Sequence, residues 1–456
     1  MLNEIKISAM NEQIKKLMEN PQKGLLILAW PMIISMVFST LLNFVDFFFV
    51  GGLGPNALAA VQLSFPVFFL IIAIGSGISI GTTALMAKRL GEKNKQWAEE
   101  TGLHSLLLSF LVSLVFMAMI LFIDPMAHSL GGSPEAAHLA ADYMSVIFAG
   151  SIIFLLNFSM TAILQAQGDT KVIMKLSIMY TLINIVLNPV FIYTLGMGIS
   201  GSALASVVSE GIALLGFAWH IIVRKKTYLQ IKPREFIFTP QIMKNILKVG
   251  LPAAVAEIGL SIAVLGINLI LSGFGDAAIS AYGVGFRLDS LAILPVLGLG
   301  AGVITMVGYF RGAKDYQGAR RVYHTAIKLV LAFTITMGVI MFLLSWVAPH
   351  LFTKDAAVID MASGYLRIIA FSYPFIGISI ILSSAFQGMG RGLPSLAITM
   401  ARAILVALPV AYVLAYHTGL GVTGAWIGLV ASAAFSASAA FLWIERYFRK
   451  ICAQCD

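Results

Sequence analysis

Two stretches of this chain, about 221 residues apart, carry the same glycines, prolines and alanines in the same order, and both are strongly apolar. Trp30-Pro31 returns as Leu251-Pro252, and Gly52-Leu53-Gly54 as Gly273-Phe274-Gly275. Ala57 and Ala60 fall on Ala278 and Ala281, and Gly77, Gly81 and Gly91 on Gly298, Gly302 and Gly312. The echo continues at an offset of 222 to 223, where Gln165 and Gly168 match Gln387 and Gly390, and Gly198 and Gly201 match Gly421 and Gly424. A duplicated apolar half is the signature of a membrane transporter, in which two halves work about a site held between them. One residue does not repeat: Asp46 has Ile267 as its counterpart.

The 456 residues are 59% hydrophobic and 11% charged, against roughly 25% charged in soluble domains. Twelve apolar runs reach the ~20 residues needed to cross a bilayer: about 25–50, 59–86, 102–123, 138–166, 172–195, 200–222, 246–272, 278–309, 323–347, 360–387, 393–416 and 421–444. None alternates with the period of a barrel strand, so each must satisfy its backbone as a helix. The fold class expected is an all-α membrane protein of twelve transmembrane helices in two pseudo-symmetric six-helix bundles. Residues 1–223 form the first lobe, 224–245 a cytoplasmic linker rich in Lys and Arg, and 246–456 the second lobe with a short tail.

The net charge of +9 does not argue for nucleic acid, because its placement follows the membrane. Lys and Arg cluster at 6–23, 88–95, 171–175, 224–248, 311–328, 391 and 446–450, whereas the intervening connections carry almost none. By the positive-inside rule both termini are cytoplasmic, in the plasma membrane of a bacterium or archaeon. Residues 1–23 lack the apolar core of a signal peptide, so the first crossing is expected to act as an uncleaved insertion signal. Cys452 and Cys455 form a CxxC in the tail without the context of a metal or redox site. His104 and His324, near inner helix ends, are expected at the interface.

A carboxylate at membrane depth costs at least ~2.5–3.5 kcal/mol on insertion scales, so its default reading is functional. Asp46, with Asn43 one turn before it, lies in Leu41-Leu42-Asn43-Phe44-Val45-Asp46. Unless donors hold its ionised form, an isolated carboxylate there exchanges a proton or a cation. Asn184 and Asn188 stack on one helical face at i, i+4, and Tyr143, Asn157 and Ser206 add neutral hydrogen-bonding groups. Pro31, about four turns before Asp46 on the same helix, is the candidate hinge. Glu210 lies mid-span with no partner assignable from sequence; Arg287 and Asp289, two apart, must look to other helices. No Walker A, GxSxG, HExxH or clustered metal-ligand set is present, so the chain is expected to be no enzyme, to hold no metal or cofactor, and to draw energy from an ion gradient.

Taken together, Trp30-Pro31-Met32, Asn43-Phe44-Val45-Asp46, Gly52-Leu53-Gly54 with Ala57-Leu58-Ala59-Ala60, Asn184-Ile185-Val186-Leu187-Asn188-Pro189, Phe191 to Gly196 and Phe386-Gln387-Gly388-Met389-Gly390 resemble the multidrug and toxic compound extrusion (MATE) family, in its DinF-like branch. The resemblance runs from about residue 22 to 446. It implies two bundles forming a V-shaped cleft, and drug export driven by inward H⁺ or Na⁺. It maps the ion-coupling group onto Asp46, its partners onto Asn184 and Ser206, and a fourth-helix asparagine with a tyrosine near Asn157 and Tyr143; the candidate sets are thus Asp46, Asn184, Asn188 and Ser206 for ion coupling, and Ser39, Asn43, Tyr143 and Asn157 for the cavity. Some relatives carry a second carboxylate where this chain has Asn188, which tilts the reading toward H⁺.

The function expected is therefore efflux of amphipathic or cationic organic compounds by a monomer in the lipid bilayer, with small-molecule cargo and no nucleic acid. The rival reading is a lipid-linked oligosaccharide flippase of the same superfamily, which would want a cavity rich in Arg and Lys. Arg287, Arg367 and Arg402 are what that reading has to offer.

Overall fold

The computed structural model describes residues 12, 14–223, 228–230 and 236–453. Among the described residues there is no strand. Eleven helices are long and apolar enough to cross a membrane, and a pair bent by 47° supplies a twelfth if it is one span. In chain order the helices are α1 (Pro21–Gly51), α2 (Pro55–Gly91), α3 (Lys95–Ala118), α4 (Pro134–Ala149), α5 (Ser151–Gln167), α6 (Thr170–Pro189) and α7 (Gly198–Ala218). The second half holds α8 (Pro240–Ser272), α9 (Asp276–Gly312), α10 (Tyr316–Leu344), α11 (Ala356–Ile369), α12 (Tyr373–Gly388), α13 (Gly392–Met400), α14 (Ala407–His417) and α15 (Val422–Cys452). The bent pair is α4 and α5, meeting at Gly150. Each of the twelve apolar runs in the sequence falls on one of these spans.

The chain divides into two compact units, 1–16 with 34–254, and 17–33 with 255–456. This partition is not the sequence halves 1–223 and 246–456, because the two ends of α1 and of α8 belong to different units. Repeated small residues explain it. In the first unit Gly77 of α2 lies so close to α8 that an added Cβ would stand 2.5 Å from the Gly250 carbonyl oxygen. In the second unit Gly298, the repeat of Gly77, lies as close to Ile33 of α1. Backbones approach this way in membrane helices where a glycine removes the side chain between them. Pro31 and its repeat Pro252 lie inside unbroken helices, each two residues before the point where its helix passes from one unit to the other.

A second repeated contact secures the C-terminal end of α1 and, separately, that of α8. Tyr193 donates its hydroxyl to the Phe49 carbonyl (2.6 Å), and Tyr416 donates to Ile270 (2.8 Å). Both hydroxyls fill the space left by a glycine, Gly52 in one half and Gly273 in the other. His104 departs from expectation: it is fully buried, its Nδ1 toward the Glu100 carbonyl (2.7 Å) and its Nε2 accepting from the Thr239 amide (2.8 Å). That pairing anchors the chain just before α8, and it requires the tautomer protonated on Nδ1. His324 instead meets Glu445 (2.9 Å), which also accepts from Arg320 (2.6 Å) and Tyr323 (2.6 Å). Outside the spans, Glu92 faces Lys88 (3.1 Å) and Arg89 (2.9 Å). Partial burial works against its charge, but these hydrogen bonds outweigh it and hold the carboxyl below its usual range. Cys455 and the linker residues 224–227 and 231–235 lie outside the described residues.

Candidate functional site

The first unit collects the polar residues of α1, α6 and α7 around one carboxylate. Asp46 is half-buried, and its Oδ1 accepts from Asn188 Nδ2 (2.6 Å) while its Oδ2 accepts from Ser206 Oγ (2.9 Å). The second hydrogen of Asn188 Nδ2 goes to Asn184, at Oδ1 (2.9 Å) and the backbone oxygen (3.3 Å). Asn184 Nδ2 in turn donates to Ser206 Oγ (3.2 Å), closing a ring of four side chains. Asn184 and Asn188 are fully buried, which the i, i+4 spacing on α6 makes possible, and Ser206 is 5% exposed.

Every hydrogen bond to Asp46 that is present comes from a neutral donor. One polar atom in the ring is left over: Asn188 Oδ1 is buried without a hydrogen-bond partner. A buried unpaired acceptor costs about 1–3 kcal/mol, and few buried polar atoms are left so. Just beyond the ring, Pro189 supplies no backbone donor, and residues Val190–Thr194 continue as a π-turn that ends with the Leu195 amide on the Val190 carbonyl (2.8 Å).

The other sequence candidates divide into two groups. Tyr143 of α4 is buried, and among the described residues its hydroxyl makes none of the ring's hydrogen bonds. Asn157 is buried too but does not touch Asp46; its Nδ2 donates to Glu210 at Oε2 (2.5 Å) and at the backbone oxygen (2.9 Å). Asn43 and Ser39 are exposed on α1, and Asn43 donates only to the Ser39 carbonyl (3.2 Å). Sharing a helical face with Asp46 does not bring Asn43 into the ring, because α6 meets α1 along Ser35, Phe38 and Asp46 and Asn43 lies to one side of that line.

The second unit has no copy of this ring. At an offset of 223, Asn184, Asn188 and Ser206 correspond to Ala407, Ala411 and Leu429, and at an offset of 221 Asp46 corresponds to Ile267, a core residue 1% exposed. A buried carboxylate of that unit lies elsewhere: Asp289 of α9 accepts from Tyr365 (2.5 Å) and Tyr373 (2.5 Å). Tyr365 is the repeat of Tyr143 at 222 positions. Among the described residues, the side chains of Arg287 and Arg402 make no hydrogen bond or ion pair, whereas Arg367 stacks on Trp346 at 3.6 Å and donates its Nε to Ser345 Oγ (3.3 Å). Among the same residues no group of three or more His, Cys, Asp or Glu could hold a metal ion.

The profile of the MatE family matches residues 31–190 and 252–413, one match to each half of the repeat. The chain belongs to the MATE family. It is 28% identical over 431 residues to a probable multidrug resistance protein NorM of Thermotoga maritima, covering 92% of both chains. It is 26% identical over 429 residues to the multidrug export protein MepA of Staphylococcus saprophyticus, again covering 92% of both. Among solved structures, a MOP superfamily transporter from Pyrococcus furiosus superposes with a TM-score of 0.92 at 32% identity, covering 96% of this chain and 98% of that one. The protein is thus a multi-pass membrane transporter of the MATE family, not an enzyme.

Proposed function

We propose that this MATE transporter is an efflux antiporter that exchanges a cation, H⁺ in the first instance, for amphipathic or cationic organic compounds, with Asp46 as the exchange point. The observation that carries the proposal is a carboxylate at membrane depth held by neutral donors alone, next to an amide oxygen with nothing to bind. Orientation follows the Lys and Arg clusters: both termini face the cytoplasm, and the outer ends of α1 and α8 face away from it.

Protonation changes what the ring must do. The ionised carboxylate accepts two hydrogen bonds; the acid form gains a hydrogen to donate and loses much of its power as an acceptor. Turning the Asn188 amide by 180° would present Oδ1 to the new proton and break the bond from Nδ2 to Asn184. That rearrangement gives proton binding a mechanical consequence on α6, beside the π-turn, and on α1. A cationic compound is attracted by the ionised carboxylate and not by the acid. Bound compound and bound proton therefore oppose one another by the same factor in both directions.

Replacing Asp46 by Asn keeps the shape and removes the exchange. The variant should be expressed and inserted normally and confer no drug resistance; full resistance would refute the coupling role. In proteoliposomes, imposing pH and Na⁺ gradients separately identifies the ion: transport driven by a pH gradient alone supports H⁺, and transport driven only by Na⁺ replaces it. A second reading is favoured by Arg287 and Arg402, two arginines within the helices of the second unit whose side chains have no carboxylate partner among the described residues. Anionic cargo, such as a lipid-linked sugar phosphate, would pair with them, and a relative of 26% identity in Shewanella oneidensis is named as an FAD transporter. Loss of transport on replacing Arg402 with Gln, with Asp46→Asn silent, would favour that reading.

A further inference from the structure

The first unit holds a second membrane-depth carboxylate that the exchange described above does not use. Glu210 stands on α7 one turn beyond Ser206, about 6 Å further along the helix axis. It is recessed among protein and partly accessible, and Asn157 donates to its Oε2 at 2.5 Å. Among the described residues no Lys, Arg or His pairs with it, so it too is held by neutral groups. Asn157 Oδ1 is buried without a partner, as Asn188 Oδ1 is. The two carboxylates are thus built alike: each takes a short hydrogen bond from an asparagine whose amide oxygen is unused, and a flip of that amide could serve the protonated acid.

The two sites are also joined by one polar face. On α6, Tyr180, Asn184 and Asn188 follow at intervals of four; on α7, Ser206 and Glu210 do the same and so line one face. Asn188 meets Asp46 (2.6 Å) and Asn184 meets Ser206 (3.2 Å), and Tyr180 lies buried one turn before Asn184 on the same face of α6. The titratable groups facing Glu210 and its link to Asp46 are Tyr180 from α6 and, near Asp46, Tyr143 from α4. Because α7 begins at the outer end of its span, Glu210 lies on the cytoplasmic side of Asp46.

We propose that Glu210, paired with Asn157, is a second proton-binding site of the transporter, coupled to Asp46 along the α6–α7 polar face and placed as the next station toward the cytoplasm. This rests on the H⁺-exchange reading of Asp46. In a transport cycle the proton held on one carboxyl oxygen of Asp46 leaves it as the ionised form and is taken up by the ionised Glu210, so charge and atoms balance without any other reactant. The second half offers no such ladder: Glu210 corresponds to Ala433 there, as Asn184 does to Ala407.

The test is the infrared difference spectrum between acid and alkaline buffer of the full-length protein in lipid, which reports protonated carboxyl groups directly. The wild type should show a band from each of Asp46 and Glu210, apart from any that Asp289 contributes. Glu210→Gln should lose one, Asp46→Asn the other, and Glu210→Asp should restore a band in its own position, which guards against misfolding. In Asp46→Asn the Glu210 band should titrate with its midpoint moved by about half a pH unit or more, which a carboxyl serving only to pack against Asn157 would not show. A Glu210→Gln spectrum equal to the wild type overturns the inference and leaves the Asp46 reading standing. A Glu210 band whose midpoint ignores Asp46 overturns the coupling. An Asp46→Asn spectrum equal to the wild type, with the Glu210 band present, sinks the Asp46 reading instead.

Discussion

Replacing Asn188 with Leu removes the short hydrogen bond to Asp46 (2.6 Å) while keeping a side chain of similar size on α6. A hydrogen bond to a charged group contributes about 1.5–3 kcal/mol. With Ser206 (2.9 Å) left as the remaining donor, the ionised form loses that much relative to the acid. Since 1.36 kcal/mol corresponds to one pH unit, the loss amounts to about 1–2 units. The sign is fixed: removing a donor that serves the ionised form lets the proton bind at lower H⁺ concentration. The pH midpoint of coupled transport should therefore move in the alkaline direction by about 1–2 units. The assay is substrate flux in proteoliposomes over a series of pH values, with the gradient held constant. Asn184 Oδ1 also loses its donor, so a modest fall in thermal stability is expected alongside. A midpoint that stays put, or moves in the acid direction, would refute the view that Asn188 holds the ionised Asp46.

Two further outcomes bear on the scaffold. Gly77→Val should destabilise the first unit by about 1–3 kcal/mol through overpacking against the Gly250 carbonyl, whereas Gly51→Ala, with nothing within 4 Å of an added Cβ, should change the melting temperature little. Asp289→Asn should keep transport and cost stability, since it weakens two hydrogen bonds from Tyr365 and Tyr373 that contribute roughly 1.5–3 kcal/mol each; loss of transport at unchanged melting temperature would assign Asp289 a part in the cycle.

Much of the fold could be read from the sequence because membrane helices announce themselves by length and hydropathy, and the glycine repeat fixed their pairing between halves. The unrepeated Asp46 was legible for the same reason: duplication makes its absence from the second half visible. What escaped were partners far apart in sequence. Glu210 is 53 residues from Asn157, and Asp289 is 76 and 84 residues from its two tyrosines; no periodicity within one helix reports such contacts. The same holds for α1 and α8, whose division between units depends on contacts of Gly77 and Gly298 with helices distant in the chain. The tyrosine clamp could have been found, because both its glycine (Gly52, Gly273) and its tyrosine (Tyr193, Tyr416) repeat. Asn43 misled because three residues along a helix still leave two side chains about 60° apart around the axis, enough to take Asn43 off the line that α6 contacts at Ser35, Phe38 and Asp46.

The most direct measurement of the central claim runs the exchange backwards. Proteoliposomes with equal pH and equal Na⁺ on both sides are given a gradient of a permanently charged dye such as ethidium, and a trapped pH indicator follows the protons. If Asp46 is where cation and cargo exchange, the dye gradient alone will move protons in the opposite direction, and the Asp46→Asn protein will move none. Proton movement that survives in Asp46→Asn at the wild-type rate would contradict the account.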